Sequence, residues 1–221
     1  MVYIKNDIHE EIKLIKTDSI DLIYTNPPFG VTENKWDTAL NWKDLWPNIW
    51  RILKPNGVCL IHASKPFSYK LVQTQIPKYN YNWIKSTSTN FFHAKKQPLR
   101  QIEEIFVYYK LQPTYNPQMI GNEYMKTSKA GASKYYGSRG ETKKETGGHN
   151  GKYPTDKLEF KTDIRGGKTV PDEMIEFFIK TYSNEGDLVL DMTTHNKVVG
   201  TIVEKLGRNF IGIDKNNIQL I

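Results

Sequence analysis

Residues 19–30 read SIDLIYTNPPFG: a short apolar run, Ile20 to Tyr24, leads into Asn26, two prolines, an aromatic ring and Gly30. Proline cannot donate to a sheet ladder, so Pro27 and Pro28 must fall just past a strand. There they fix φ and hold backbone carbonyls in set directions. The product is a stiff loop rich in acceptors at the C-terminal end of a buried strand. In open α/β sheets that edge is where ligands bind.

Working outward, the chain keeps alternating between the two periodicities. A strand over Asp21–Tyr24 follows a short helix near His9–Lys16. Trp42–Leu53 carries Leu45, Trp46, Ile49, Trp50 and Leu53 at helical spacing and stops before Pro55-Asn56-Gly57, a turn signal. Gly57–Ala63 is an almost continuous apolar run, as in a strand buried on both faces. Ser64 then reads as the cap of a helix with Pro66 early in it, running through Leu71. Tyr81–Asn90 and Glu103–Lys110 read as two further strands. Pro171 and Asp172 open an amphipathic helix carrying Met174, Ile175, Phe177, Phe178 and Tyr182. A buried strand at Gly186–Met192, a helix at Val198–Leu206 and a strand at Asn209–Asp214 complete the pattern. Strands and helices at this pitch make βαβ units and a mainly parallel sheet.

From Leu111 to about Phe160 the character changes. Residues 124–154, YMKTSKAGASKYYGSRGETKKETGGHNGKYP, are polar, basic and rich in Gly and Ser, with almost no periodic apolar face. Composition alone describes a long loop or insertion. The same composition also suits a segment that contacts nucleic acid. The expected organisation is one domain over residues 1–221 with this insertion at about 111–160.

The 31 Lys and Arg residues outnumber the 24 Asp and Glu, and the net charge of +7 favours a polyanionic partner. His93-Ala94-Lys95-Lys96-Gln97-Pro98-Leu99-Arg100 and the Lys126–Lys152 stretch hold much of the excess. As a set, Lys95, Lys96, Arg100, Lys126, Lys129, Lys134, Arg139, Lys143 and Lys144 make sense as phosphate contacts, although single charged residues are as often merely solvated. Cys59 is the only cysteine, which excludes an internal disulfide and a multi-Cys zinc site. It lies inside a buried strand and reads as inert core rather than as a nucleophile. His62, His93 and His149 lie in unrelated segments, so no metal site is expected. No apolar run reaches membrane-spanning length and no signal peptide is evident, so the expectation is a soluble intracellular protein with no membrane partner.

Asn26-Pro27-Pro28-Phe29 can be read as a device for methylating an exocyclic amine. The nitrogen of an aromatic amino group is a poor nucleophile because its lone pair is delocalised into the ring. Acceptors on its two N–H groups draw it toward tetrahedral geometry and free that pair. The Asn26 side-chain oxygen and the Pro27 carbonyl suit this task, and Phe29 can stack on the base, which must leave the duplex to reach them. An ordinary strand-ending turn is the bland alternative for four residues.

More of the chain bears on the choice. IDLIYTNPPFG, TENKWDT, LKPNGVCLIHASKPF, NFFHAKKQPLR and FIKTYSNEGDLVLD followed by LGRNFIGID together resemble the amino DNA methyltransferases that modify adenine N6 or cytosine N4. The order matches the family's β arrangement, catalytic tetrapeptide first and cofactor strand last. The resemblance implies a Rossmann-like S-adenosylmethionine-dependent methyltransferase fold, mostly parallel with an antiparallel edge strand. It implies DNA as partner, S-adenosylmethionine as cofactor, and the cytoplasm of a prokaryotic or phage-infected cell. It makes Asn26, Pro27, Pro28 and Phe29 catalytic. It places Asp191 and Asp214 at the cofactor strand ends, with Asp214 as the acceptor of ribose hydroxyls. Asn at the first tetrapeptide position resembles the adenine enzymes, so adenine N6 is the expected target and cytosine N4 the alternative. Whether a cognate restriction nuclease exists, and the oligomeric state, are left open.

Two departures stand out. The family's Asp-Pro-Phe-x-Gly-Ser-Gly-Thr is here Asp191-Met192-Thr193-Thr194-His195-Asn196-Lys197-Val198, with His195 and Lys197 in place of both glycines. The family's His-Pro-Thr-Gln-Lys-Pro is reduced to Gly167-Lys168-Thr169-Val170-Pro171. The expectation is a re-shaped cofactor floor in which Thr193, Thr194, His195 and Asn196 supply contacts. The rival is a non-catalytic DNA-binding relative whose cofactor loop has decayed.

Overall fold

The computed structural model describes residues 1–126, 148–162 and 170–216. The chain divides into two compact units, 1–116 with 156–221, and 117–155. In chain order the first holds β1 (Val2–Lys5), α1 (Ile8–Leu14), β2 (Ile20–Thr25), α2 (Trp42–Ile52), β3 (Leu53–Ala63), α3 (Phe67–Thr74), β4 (Tyr79–Thr89) and β5 (Arg100–Tyr109). The second holds β6 (Ile120–Lys126) and β7 (Gly148–Lys152). The first unit resumes with β8 (Lys157–Leu158), α4 (Asp172–Tyr182), β9 (Leu188–Asp191), α5 (Val198–Lys205) and β10 (Asn209–Asp214).

The first unit is an eight-stranded sheet in the order β1-β10-β9-β2-β3-β5-β4-β8. Five strands from β1 to β3 run parallel, and β5 is antiparallel to both neighbours. The expected antiparallel strand is therefore β5, but it lies third from the end rather than at the edge. Beyond it β4 and the short β8 pair in parallel.

Apolar residues face both ways from the sheet, and each face has its own helices. Ile8 and Ile12 of α1, Trp42 to Ile52 of α2 and Phe67 and Leu71 of α3 cover one side with Ile23, Cys59, Ile61 and Leu190. Met174, Ile175, Phe178 and Ile179 of α4 and Ile202 and Val203 of α5 cover the other, over Leu22, Leu60 and Val189. Gly200 lets α5 lie close on the sheet: a Cβ there would collide with the Tyr3 hydroxyl and come within 2.7 Å of the Phe210 ring.

Several local expectations change. Pro55-Asn56-Gly57 does not end one element before another begins, because β3 starts at Leu53 and absorbs the turn as an irregularity, Ile20 pairing with Leu53 and Leu22 with Val58. Ser64 does not cap α3 with its side chain; Pro66 occupies that position, and the Ser64 carbonyl accepts the Ser68 N–H at 3.0 Å. β1 has no apolar alternation to betray it, and forms because β10 offers it an open edge.

The second unit contains an antiparallel ribbon, with Tyr124 opposite Asn150 and Met125 opposite His149. The His149 and Tyr153 rings meet edge to face at 4.7 Å. Lys129, Lys134, Arg139, Lys143 and Lys144 lie outside the described residues, as do Gly167, Lys168 and Thr169. No helix among the described residues is long and apolar enough to cross a membrane.

Candidate functional site

Parallel pairing puts the C-terminal ends of β10, β9 and β2 side by side at one edge. From β2 the chain crosses through α2 to β3 on one side; from β9 it crosses through α5 to β10 on the other. The gap between β2 and β9 is thus a topological switch point, where such sheets form their ligand crevice. Two loops leave from it, Asn26–Gly30 and Met192–Lys197, and they are joined: Thr25 Oγ1 and Thr193 Oγ1 lie 2.8 Å apart.

The first loop is held from below and from the side. Pro27 is buried, while Asn26 is exposed and has no hydrogen-bond partner for its amide among the described residues. The Phe29 ring is half-buried and stacks on Phe67 of α3, with centroids 5.1 Å apart and planes at 14°. Gly30 has φ +64°, and a Cβ there would come 2.8 Å from the Ala39 Cβ, so the turn requires glycine. The turn then aims three backbone N–H groups at one acid. Asp37 accepts from Gly30 N at 2.7 Å, Val31 N at 2.9 Å and Thr32 N at 2.7 Å. Burial pushes the Asp37 carboxyl up, but these hydrogen bonds outweigh it and hold the group below the usual carboxylate range.

Asp37 is one of the residues that sequence reasoning missed, and its expected effect is large. Replacing it with alanine orphans three N–H groups and frees the loop, and a shift of about 1 Å in a reacting group costs roughly 100-fold in rate. Asp37→Asn keeps one acceptor oxygen and should keep part of the activity. Rates of the methyl transfer that the sequence leads one to expect, for the three proteins, check this, and an unimpaired Asp37→Ala would show that the loop is not held by this acid. Because the folded pKa is depressed, the stability Asp37 contributes is present above about pH 4 and lost as pH falls through the folded value.

Behind the loop a chain of buried polar groups crosses four strands. The Tyr24 hydroxyl lies 2.9 Å from His62 Nε2, His62 Nδ1 lies 2.8 Å from Glu103 Oε1, and Lys85 Nζ lies 2.5 Å from Glu103 Oε2. Burial raises the Glu103 pKa, but the His62 hydrogen bond and charge together with Lys85 bring it below its ordinary value. Tyr24 stands two residues before Asn26, so this network fixes the strand from which the loop departs.

The second loop is built without positive φ. No residue from Met192 to Lys197 adopts it, so His195 and Lys197 replace the glycines without backbone strain. Gly212 of β10 stands directly across from Asp191, and a Cβ on it would come 2.7 Å from the Thr194 methyl. Thr194 N donates to the Ile213 carbonyl at 2.8 Å, and Thr194 Oγ1 to the Asn196 carbonyl at 2.9 Å. Thr194 is therefore buried, with its N–H and its hydroxyl both bonded to backbone carbonyls. Asn196 Oδ1 accepts the Val198 N–H at 3.0 Å and so starts α5. His195 is exposed.

Asp191 and Asp214 project from the same sheet face, since Asp214 is two residues beyond the register partner of Asp191. Asp191 is almost fully buried and accepts the Thr193 N–H at 3.1 Å. Burial, with a smaller contribution from Asp214, pushes its carboxyl up to about 7 against the lowering hydrogen bonds of Thr193, Thr25 and Thr194. Asp214 is half-exposed; Oδ1 accepts Asn216 N at 2.6 Å. Cys59 is wholly buried, and burial pushes its thiol up. No group of three or more metal-ligating side chains occurs among the described residues.

Strand order and paired loops define an open α/β fold with its topological switch point between β2 and β9. The family model described as DNA methylase, N6_N4_Mtase, matches residues 20–220, and the chain belongs to this family of amino DNA methyltransferases, whose methyl donor is S-adenosylmethionine. The type II methyltransferase M.HpaI of Haemophilus parainfluenzae is 25% identical over 226 residues, 93% of this chain and 67% of that protein. The DNA adenine methyltransferase YhdJ of Escherichia coli K12 is 24% identical over 233 residues, 97% of this chain and 78% of that protein. Among solved structures, the cytosine-N4-specific PvuII DNA methyltransferase superposes with a TM-score of 0.67 at 15% identity, over 97% of this chain and 81% of that one. A complex of M1.HpyAVI with S-adenosylmethionine gives 0.59 at 20% identity, over 98% and 93%. Those structures share the fold.

Proposed function

We propose that the protein transfers a methyl group from S-adenosylmethionine to adenine N6 at specific sites in DNA. The observation that carries this is the juxtaposition of an Asn26 amide, unengaged among the described residues, with the Met192–Lys197 loop across the Thr25–Thr193 bridge. Asn26 Oδ1 and the Pro27 carbonyl accept the two N–H bonds of the amine, whose lone pair forms the new N–C bond. S-adenosylmethionine supplies an electrophilic methyl carbon, and the S–C electron pair stays with sulfur. The surplus proton on nitrogen leaves to water. Phe29 has one face against Phe67, so a stacked base takes the other. Asp214 holds the ribose hydroxyls through its second carboxylate oxygen. Adenine is favoured by Asn at the first loop position and by the likeness to an adenine enzyme, whereas the PvuII likeness supports cytosine N4 as the second reading. Incubating DNA with protein and cofactor, then digesting it to nucleosides, distinguishes them: N6-methyladenine is expected, N4-methylcytosine selects the second reading, and neither base sinks both.

The segment from about 111 to 160 is proposed as the target-recognition region, its basic residues neutralising phosphates. Replacing Lys126, Lys129, Lys134, Arg139, Lys143 and Lys144 together by neutral residues should weaken DNA binding. It should also flatten the plot of log affinity against log salt, by about 0.9 for each phosphate that the variant leaves unneutralised. An unchanged slope would return the segment to a bystander role.

A further inference from the structure

We infer that Phe92, carried on the turn between β4 and β5, is a wedge that enters the DNA base stack when the target base leaves it. The inference rests on the DNA-methylating function proposed above. Phe92 is 102% exposed and Phe91 65% exposed, adjacent in a single 3-10 turn, Phe91–His93. The turn is launched by Asn90 in the left-handed region, φ 74°. Phe92 thus has no apolar floor beneath it. Two adjacent exposed rings on one turn form a contiguous apolar projection, and such a patch rimmed by polar residues marks an interaction site. A side chain that receives a flipped base is instead supported from behind, as Phe29 is by Phe67.

Topology places the ring where a wedge is needed. β5 is antiparallel to β3 and to β4, so β4 runs with β2 and β3 and ends on the same edge as the Asn26 loop. The turn is tied down there, because Arg100 Nη1 donates to the Lys65 carbonyl, just past β3, at 2.7 Å. Lys95 and Lys96 follow directly, exposed and without an ion-pair partner among the described residues. Cations around a projecting ring match a duplex, with phosphates outside and stacked bases within. Apolar side chains entering between base steps are a recurring way to unstack DNA. Extruding a base costs a few kcal/mol that a filled gap offsets in part.

The test compares methylation of a short duplex carrying the mapped site with the same duplex mispaired at the target base, for wild type and Phe92→Ala. A mispaired base is already loosened and has less need of a wedge. Phe92→Ala should lose roughly 5- to 100-fold on the intact duplex, the range seen when a stacking aromatic is removed. Mispairing should recover most of that loss, and Phe92→Trp should stay near wild type. The salt dependence of binding should not change. Equal losses on both duplexes, or no loss on either, overturn the wedge while leaving the methyltransferase reading standing. No methylated product from the wild type sinks that reading, and the wedge with it.

Discussion

Replacing Asn26 with alanine should slow methyl transfer by about 100- to 1000-fold, the usual cost of removing one polar group aimed at a reacting atom. DNA affinity should stay within about twofold, since Asn26 is exposed and its amide is unengaged by the rest of the described chain. That split is informative: a rate loss without a binding loss marks an interaction made in the transition state. Asn26→Asp keeps an acceptor and should retain partial activity. Single-turnover methylation of the same DNA by the three proteins reads the result directly. An Asn26→Ala protein that methylates at the wild-type rate would remove hydrogen-bond acceptance by this side chain from the mechanism. Gly30→Ala offers a control on the backbone, because its positive φ and the nearby Ala39 forbid the methyl group even though no donor or acceptor changes.

The Asn26 loop was legible in the sequence for a simple reason: two prolines cannot lie inside a ladder, and β2 does end at Thr25. The strand ends at Asp191 and Asp214 were equally readable, as acids closing short apolar runs. Asp37 was not. It is one acid in a polar stretch, and its role exists only after Gly30 turns three N–H groups toward it. The Tyr24–His62–Glu103–Lys85 chain was hidden by distance along the sequence: its members belong to four strands that only register brings together. Composition also understated the ribbon of β6 and β7, where Gly121 and Gly151 serve positive φ rather than disorder. Lost glycines in the cofactor loop pointed to a re-shaped floor, and the loop does run from Met192 to Lys197 without any positive φ. What sequence could not supply there was the direction of each side chain.

That loop carries the second large effect. S-adenosylmethionine should bind the wild type, and Asp214→Ala should weaken binding roughly 10- to 100-fold, as hydrogen bonds to a charged acceptor are worth about 1.5–3 kcal/mol. The binding should also depend on pH in a way set by Asp191. With its carboxyl pushed up to about 7, Asp191 is protonated in much of the free protein at and below neutrality. The methyl donor is cationic, so binding it at this end of the sheet would favour the ionised acid and release a proton. Affinity should therefore fall as pH drops through about 7, by at most about tenfold per unit for one linked proton. The free protein should show the opposite trend. Its Asp191 pKa lies above the unfolded value near 4, so this group's contribution to stability declines as pH rises from about 4 to 7. Calorimetric titrations in two buffers of different ionisation enthalpy would measure the released proton, and repeating them with Asp191→Asn should abolish it. Buffer-independent heats would exclude Asp191 as the linked group. A wild type that gives no heat and no thermal stabilisation at millimolar cofactor would leave the intact strand ends as relics and favour a DNA-binding protein that no longer methylates.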